Sequence, residues 1–220
     1  MTKTAANGLL SSIGKKEIVA ISGLGALGFL CVHFLGNTTI YFGREAFNAY
    51  AEHLHALGVL LYYAELGLAA VFATHIVFAV WVTLENWRAR PVPYAVKAKS
   101  DQSRWASRLM IWSGLYMLAF IVAHLVNFRA KRGTGEIADH VGHLFSNPGW
   151  ALYYAVSMAL VAFHLSHGIW SAMQTLGIGM AHEGFRRNME KIALVISIVF
   201  GIGFGLMPVL VYLRPLHLLH

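Results

Sequence analysis

Five apolar runs, each long enough to cross a bilayer, dominate this sequence, and four of them carry a histidine well inside: "GFLCVHFLG", "VFATHIVFA", "FIVAHLVNF" and "LVAFHLSHG". A membrane-spanning helix needs about 20 predominantly apolar residues. The runs reach that length at about 18–42, 58–84, 109–128, 150–176 and 192–213. Lipid offers no partner to backbone polar groups, so each span is expected to satisfy them internally as a helix. The expected fold is therefore all-α: an integral membrane bundle of five transmembrane helices, forming a single domain over 1–220. Composition agrees, since 57% of the residues are hydrophobic and only 12% are charged, an apolar excess that soluble domains rarely carry.

Several function classes drop out. The single cysteine, Cys31, excludes a disulfide framework and a cysteine-ligated iron–sulfur cluster within the chain. No glycine-rich loop follows a strand, so no nucleotide site is expected. The net charge of +7 reads first as positive-inside sorting rather than as nucleic-acid binding, and no nucleic-acid partner is expected. The segment "MTKTAANGLLSSIGKKE" lacks the apolar core and cleavage site of a secretory signal and is read as mature protein.

Loop charge orients the bundle. With a cytoplasmic N-terminus, the inner side holds twelve Lys and Arg: Lys3, Lys15, Lys16, Arg88, Arg90, Lys97, Lys99, Arg104, Arg108, Arg186, Arg187 and Lys191. The outer side then holds five: Arg44, Arg129, Lys131, Arg132 and Arg214. That asymmetry places the N-terminus in the cytoplasm and the tail "LRPLHLLH" outside. Two connections look structured. "GREAFNAYAEHLHALG" has Phe47, Tyr50, Leu54 and Leu57 at helical spacing and reads as an amphipathic helix at the outer interface. "SNPGW" opens span four, with Asn147 as N-cap and Pro148 at the first helical position. In the basic inner loop "RARPVPYAVKAKSDQSR", Pro91 and Pro93 are expected to stop span two. No internal repeat or low-complexity segment is evident.

The histidines fall at two depths. His33 comes 16 residues after Glu17, and His124 comes 16 after Arg108, about 24 Å from the inner end at 1.5 Å per residue. Spans two and four run the other way. His75 lies 10 residues before Glu85 and His164 lies 10 before Gln174, about 15 Å from the inner boundary. This predicts an outer pair, His33 with His124, and an inner pair, His75 with His164. A planar macrocycle between two helices needs one axial nitrogen from each side at one height, so two bis-histidine haems fit the pattern. Gly23, Gly25, Gly28, Gly114 and Gly168 would let a bulky ring approach the backbone. A single membrane histidine is more often a hydrogen-bonded packing residue, but four at matched heights argue against that. A di-iron desaturase site would cluster its histidines near one surface instead. His167 shares a helix face with His164, so either could bind iron. Depth favours His164 and leaves His167 as a candidate partner for a haem propionate. His53, His55, His140, His143, His182, His217 and His220 lie in loops, interfaces or the tail, where solvated or structural roles are the default.

The stretches "FNAYAEHLHALG", "HIVFAVWVTLENWRARPVPY", "AHLVNF" and "FHLSHGIWSAMQTLG" resemble the cytochrome b membrane anchor of succinate:quinone and quinol:fumarate oxidoreductases, in its five-helix, two-haem form. The resemblance covers nearly the whole chain, and the last motif is the most specific. It implies two haems b, with His33 and His124 on the distal haem and His75 and His164 on the proximal one. In that family the first histidine of the "FHLSHG" motif is the ligand, which again selects His164. The resemblance also implies a flavoprotein partner, an iron–sulfur partner, a quinone (menaquinone is expected), and a multi-pass location in a prokaryotic cytoplasmic membrane. The chain would then carry the quinone half-reaction rather than dicarboxylate chemistry. Quinone reduction consumes protons, and Glu52, His53, His55 and Glu65 on the outer side are the candidates to exchange them. Glu65, within span two, is expected to be buried. Two other readings remain: another dihaem quinone-linked cytochrome b, or a non-redox histidine-rich channel or transporter.

Overall fold

The computed structural model describes residues 8, 10–89, 101–130, 135–178 and 182–214. The expected stops at Pro91 and Pro93, most of the basic inner loop, Lys3, Lys131, Arg132 and the tail histidines His217 and His220 lie outside the described residues. Among the described residues the chain is entirely helical, with five helices long and apolar enough to cross a membrane.

Helix α1 spans Ser12–Asn37 and runs on into a 3₁₀ turn, Thr38–Phe42. Two helices follow, α2 at Arg44–Ala56 and α3 at Val59–Ala89. Helix α4 covers Asp101–Leu125 and widens into a π-helical turn at Val126–Ala130. The short α5 covers Ile137–Phe145, α6 Pro148–Thr175 and α7 Glu183–Leu213. The five spans all appear, but several helices outrun their apolar cores. Helix α7 starts at Glu183 rather than near residue 192, and α4 starts at Asp101 rather than near 109. Hydropathy marks where the bilayer ends, whereas a backbone that is already helical has no reason to unwind on reaching water.

Local chemistry explains the ends. The Ser11 side chain accepts from Gly14 N at 3.1 Å and caps α1. Asn147 caps α6 as expected, accepting from Gly149 N at 2.8 Å with Pro148 opening the helix. Helix α6 ends in a Schellman arrangement: Gly177 N donates to Gln174 O at 3.1 Å and Ile178 N to Met173 O at 3.0 Å. Gly177 sits at φ +69, where a side chain would be strained.

The amphipathic segment forms α2, with Phe47 buried and Tyr50 and Leu54 partly buried, but Leu57 lies exposed beyond its end. Gly36 on α1 leaves the space that the Tyr50 ring occupies. Helix α5 was not anticipated. Its signal was present, since Ala138, Val141 and Phe145 all fall on one face and are buried. Arg44 and Asn48 on α2 hold its start. Arg44 pairs with Glu136 at 2.7 Å and Asp139 at 2.5 Å, and Asn48 Oδ1 accepts from Ala138 N at 3.0 Å. Hydrogen bonding to Asp139 and then Glu136 raises the Arg44 guanidinium above its usual value.

The bundle packs most extensively between α6 and α7, and α1 packs against α3. In lipid, helices associate by close approach of small residues rather than by hiding apolar faces. At the α6–α7 contact a Cβ on Gly201 would come within 2.7 Å of the Ala162 Cβ. Gly201→Ala is therefore expected to spread these helices, at a cost of about 1–3 kcal/mol for overpacking. A lowered unfolding midpoint of the purified protein in detergent would register it, and an unchanged midpoint would contradict the tight contact.

Candidate functional site

Two of the four span histidines come into ring contact. His33 on α1 and His124 on α4 face each other with ring centroids 5.9 Å apart and planes at 89°. Aromatic rings enclose them: Phe29 stacks on His33 at 5.2 Å, Phe204 lies 5.7 Å from His33, and Phe128 and Tyr154 lie 5.0 and 6.0 Å from His124. The other two lie on α3 (His75) and α6 (His164). His33 and His124 are thus brought together, while His75 contacts α1 and His164 contacts α4. An ion pair supports the depth scale, since Lys15 meets Glu85 at 2.5 Å and brings the start of α1 level with the end of α3. Trp81 Nε1 donates to the same carboxylate at 2.7 Å, and Lys15 lies 4.9 Å from the Trp81 ring.

Each inner histidine packs against a glycine of a neighbouring helix. A Cβ on Gly23 would approach His75 Cε1 to 2.9 Å, and one on Gly114 would approach His164 Cε1 to 3.5 Å. The other expected small residues matter less. Gly25 faces Val71, Gly168 faces Met110 at the edge of contact, and Gly28 has open space. His75 Nδ1 lies 3.1 Å from Val19 O, and His164 Nδ1 lies 3.0 Å from Ser113 Oγ. The outer pair is poorer in partners: His124 Nδ1 is buried without a hydrogen-bond partner among the described residues. Asn37 Nδ2 donates to His33 O at 2.8 Å and lies 3.4 Å from His33 Nδ1.

These features fit two imidazoles sharing one metal. Metal–nitrogen bonds of about 2 Å on opposite sides put ring centres roughly 6 Å apart, close to the spacing of the outer pair. A buried imidazole with an unpartnered nitrogen is costly in hydrocarbon unless something else occupies the ring. His167 is partly buried and acts electrostatically on His164.

The proton-exchange candidates collect at the end of the bundle nearer the outer pair. Glu52, His53 and His55 are exposed on α2; His53 Nδ1 donates to Ala49 O and His55 Nδ1 to Ala51 O. Glu65 departs from expectation. It is not buried but forms a 3.2 Å ion pair with Arg129, its side chain 41% exposed. Arg129 belongs to the π-helical turn that follows His124 on the same element, and that turn brings a cation to the glutamate.

The turn also organises a network that sequence reasoning missed. Asn127, buried, donates from Nδ2 to Tyr154 OH at 3.2 Å, while its backbone carbonyl accepts from His140 Nε2 at 2.7 Å. A π-turn shifts the hydrogen-bond register and leaves a carbonyl for an outside donor, so His140 is structural here. The only advance signal was an asparagine three residues after a span histidine.

A family model described as the succinate dehydrogenase/fumarate reductase transmembrane subunit matches residues 90–204, more than half of the 220 residues. The chain belongs to this family. The matched segment holds His124 and His164, while His33 and His75 precede it. Among curated proteins, the succinate dehydrogenase cytochrome b558 subunit of Bacillus subtilis (strain 168) is 28% identical over 178 residues, covering 77% of this chain and 82% of the relative. No solved structure matches the chain. Membership of the succinate dehydrogenase/fumarate reductase transmembrane subunits decides against a histidine-rich channel or transporter and makes this a multi-pass membrane subunit of that type of complex.

The buried Asn127–Tyr154 contact is open to test. Tyr154→Phe keeps the ring but strips the amide of its acceptor, leaving a buried polar group at a cost of about 1–3 kcal/mol. Thermal unfolding in detergent should show the loss, and an undiminished midpoint would mean that the contact contributes nothing.

Proposed function

We propose that this chain is the dihaem cytochrome b anchor of a succinate dehydrogenase/fumarate reductase complex, a single domain over 1–220 that carries the quinone half-reaction. The observation that carries the proposal is the close approach of His33 and His124, with His75 and His164 on the two other histidine-bearing spans. Family membership and the cytochrome b558 name of the Bacillus relative support the same reading. His33 and His124 would hold the distal haem b, and His75 and His164 the proximal one, with His167 beside a propionate. The N-terminus lies in the cytoplasm of a bacterial cell, so the inner pair faces an iron–sulfur subunit and, beyond it, a flavoprotein with the dicarboxylate site. When bound, the haems would supply one-electron transfer between the iron–sulfur partner and quinone.

The rest is the work of the chain's own residues. The aromatic rings around His33 and His124 exclude water from the outer pair, and Gly23 makes room for His75 against α1. Quinone, here menaquinone, takes up two protons on reduction, and the groups able to exchange them stand at the outer end. Glu52, His53 and His55 line α2, while Glu65 forms an ion pair with Arg129. A carboxylate paired with a cation can pass a proton on only if that pairing loosens, which makes Glu65 the gated member of the set.

Two outcomes follow. The purified complex should contain two non-covalent haems b per chain by pyridine haemochrome assay. His33→Ala or His124→Ala should remove one of them, and His75→Ala or His164→Ala the other. A single haem, or loss on His167→Ala but not on His164→Ala, would break the assignment. At the quinone end, Glu52→Gln or Glu65→Gln should depress quinone-linked turnover at least tenfold, while both haems and succinate oxidation with a soluble dye acceptor persist. Unaltered quinone turnover in both variants would remove the proton role from these glutamates.

A further inference from the structure

The inner histidines differ from the outer ones in what their second nitrogen touches. Val19 O is a backbone carbonyl and can only accept, so the 3.1 Å contact requires a proton on His75 Nδ1. His164 Nδ1 meets the hydroxyl of Ser113, which is buried on α4. That hydroxyl also donates to Met110 O at 3.0 Å. A hydroxyl has one proton. Only the Nδ1–H form of His164 makes both 3.0 Å contacts hydrogen bonds, with Ser113 Oγ donating to Met110 and accepting from His164. In both inner histidines, therefore, Nε2 keeps its lone pair.

The outer pair has no such partner. His124 Nδ1 is unpartnered among the described residues, and the Asn37 group beside His33 is an amide nitrogen, which cannot accept. We infer that Ser113 is a positioning residue for the inner site: it selects the His164 tautomer that presents Nε2 to iron, and its oxygen makes that imidazole more electron-rich. The inference rests on the dihaem reading. An imidazole that donates its far N–H to an oxygen is a more basic ligand, and a more basic axial ligand favours ferric over ferrous iron. Ser113 thus holds the midpoint potential of the inner haem lower than it would otherwise be, and leaves the outer haem untouched.

The test is a redox titration of the assembled complex, followed in the haem absorption bands. The two midpoints are assigned by the one missing from His33→Ala. Ser113→Ala removes the acceptor with little change of volume and should raise the inner midpoint alone, with haem content unchanged. Ser113→Thr retains a hydroxyl and should bring the midpoint back towards the original value. Two haems with neither midpoint moved by Ser113→Ala, or movement of the outer midpoint instead, would overturn the role of Ser113. Equal shifts in the Ala and Thr variants would reduce it to packing and overturn it as well. Failure of the dihaem reading shows separately, as fewer than two haems in the unsubstituted complex.

Discussion

An imidazole inside hydrocarbon must have its ring nitrogens occupied or bear a large desolvation cost, and the architecture is organised around four such rings. The two that meet, His33 and His124, lie on α1 and α4, which share few other contacts. His75 on α3 packs instead against α1, and His164 on α6 against α4. Helix α7 carries no span histidine and packs instead by glycine against α6 and α1, where Gly201 and Gly203 leave room for Ala162 and Phe34. Bundle order thus follows from polar groups that must find partners and small residues that permit contact, as expected where lipid competes equally well for apolar side chains.

Helix α3 shows the same economy. None of its residues is buried, yet it packs along α1, with Val71 against Gly25 and Phe72 edge-on to Phe29. Polar contacts add to that packing. Glu85 meets the largely buried Lys15 near one end, and His75 reaches Val19 O and the Gly23 backbone further along. Both contacts act on the element that supplies an inner histidine, so they bear directly on the geometry of the inner site.

The outer end is built by other means. The short helices α2 and α5 are tied together by Arg44 and Asn48, and α5 returns His140 to the π-turn that follows His124. That turn also places Arg129 against Glu65 and Asn127 against Tyr154. A departure from α-helical register just beyond a histidine reorganises the polar groups of the entire end, which is the usual association of π-turns with functional sites.

The sequence by itself determined five spans, the amphipathic α2, the Asn147–Pro148 start of α6, and the placing of one histidine inside each of four spans. These are readable because they depend on local periodicity and on rise per residue, both properties of one helix at a time. It also carried an unused signal for α5 in the spacing of Ala138, Val141 and Phe145. What only the tertiary structure decided is which nitrogen of each histidine is engaged, and by what. Val19 O, Ser113 and the ion pairing of Glu65 with Arg129 are contacts between helices far apart in the chain, at separations of 56, 51 and 64 residues. No pattern within a single helix encodes such contacts. They arise from the rotation of each helix about its axis and from the register shift of the π-turn, and both are set by packing against neighbours.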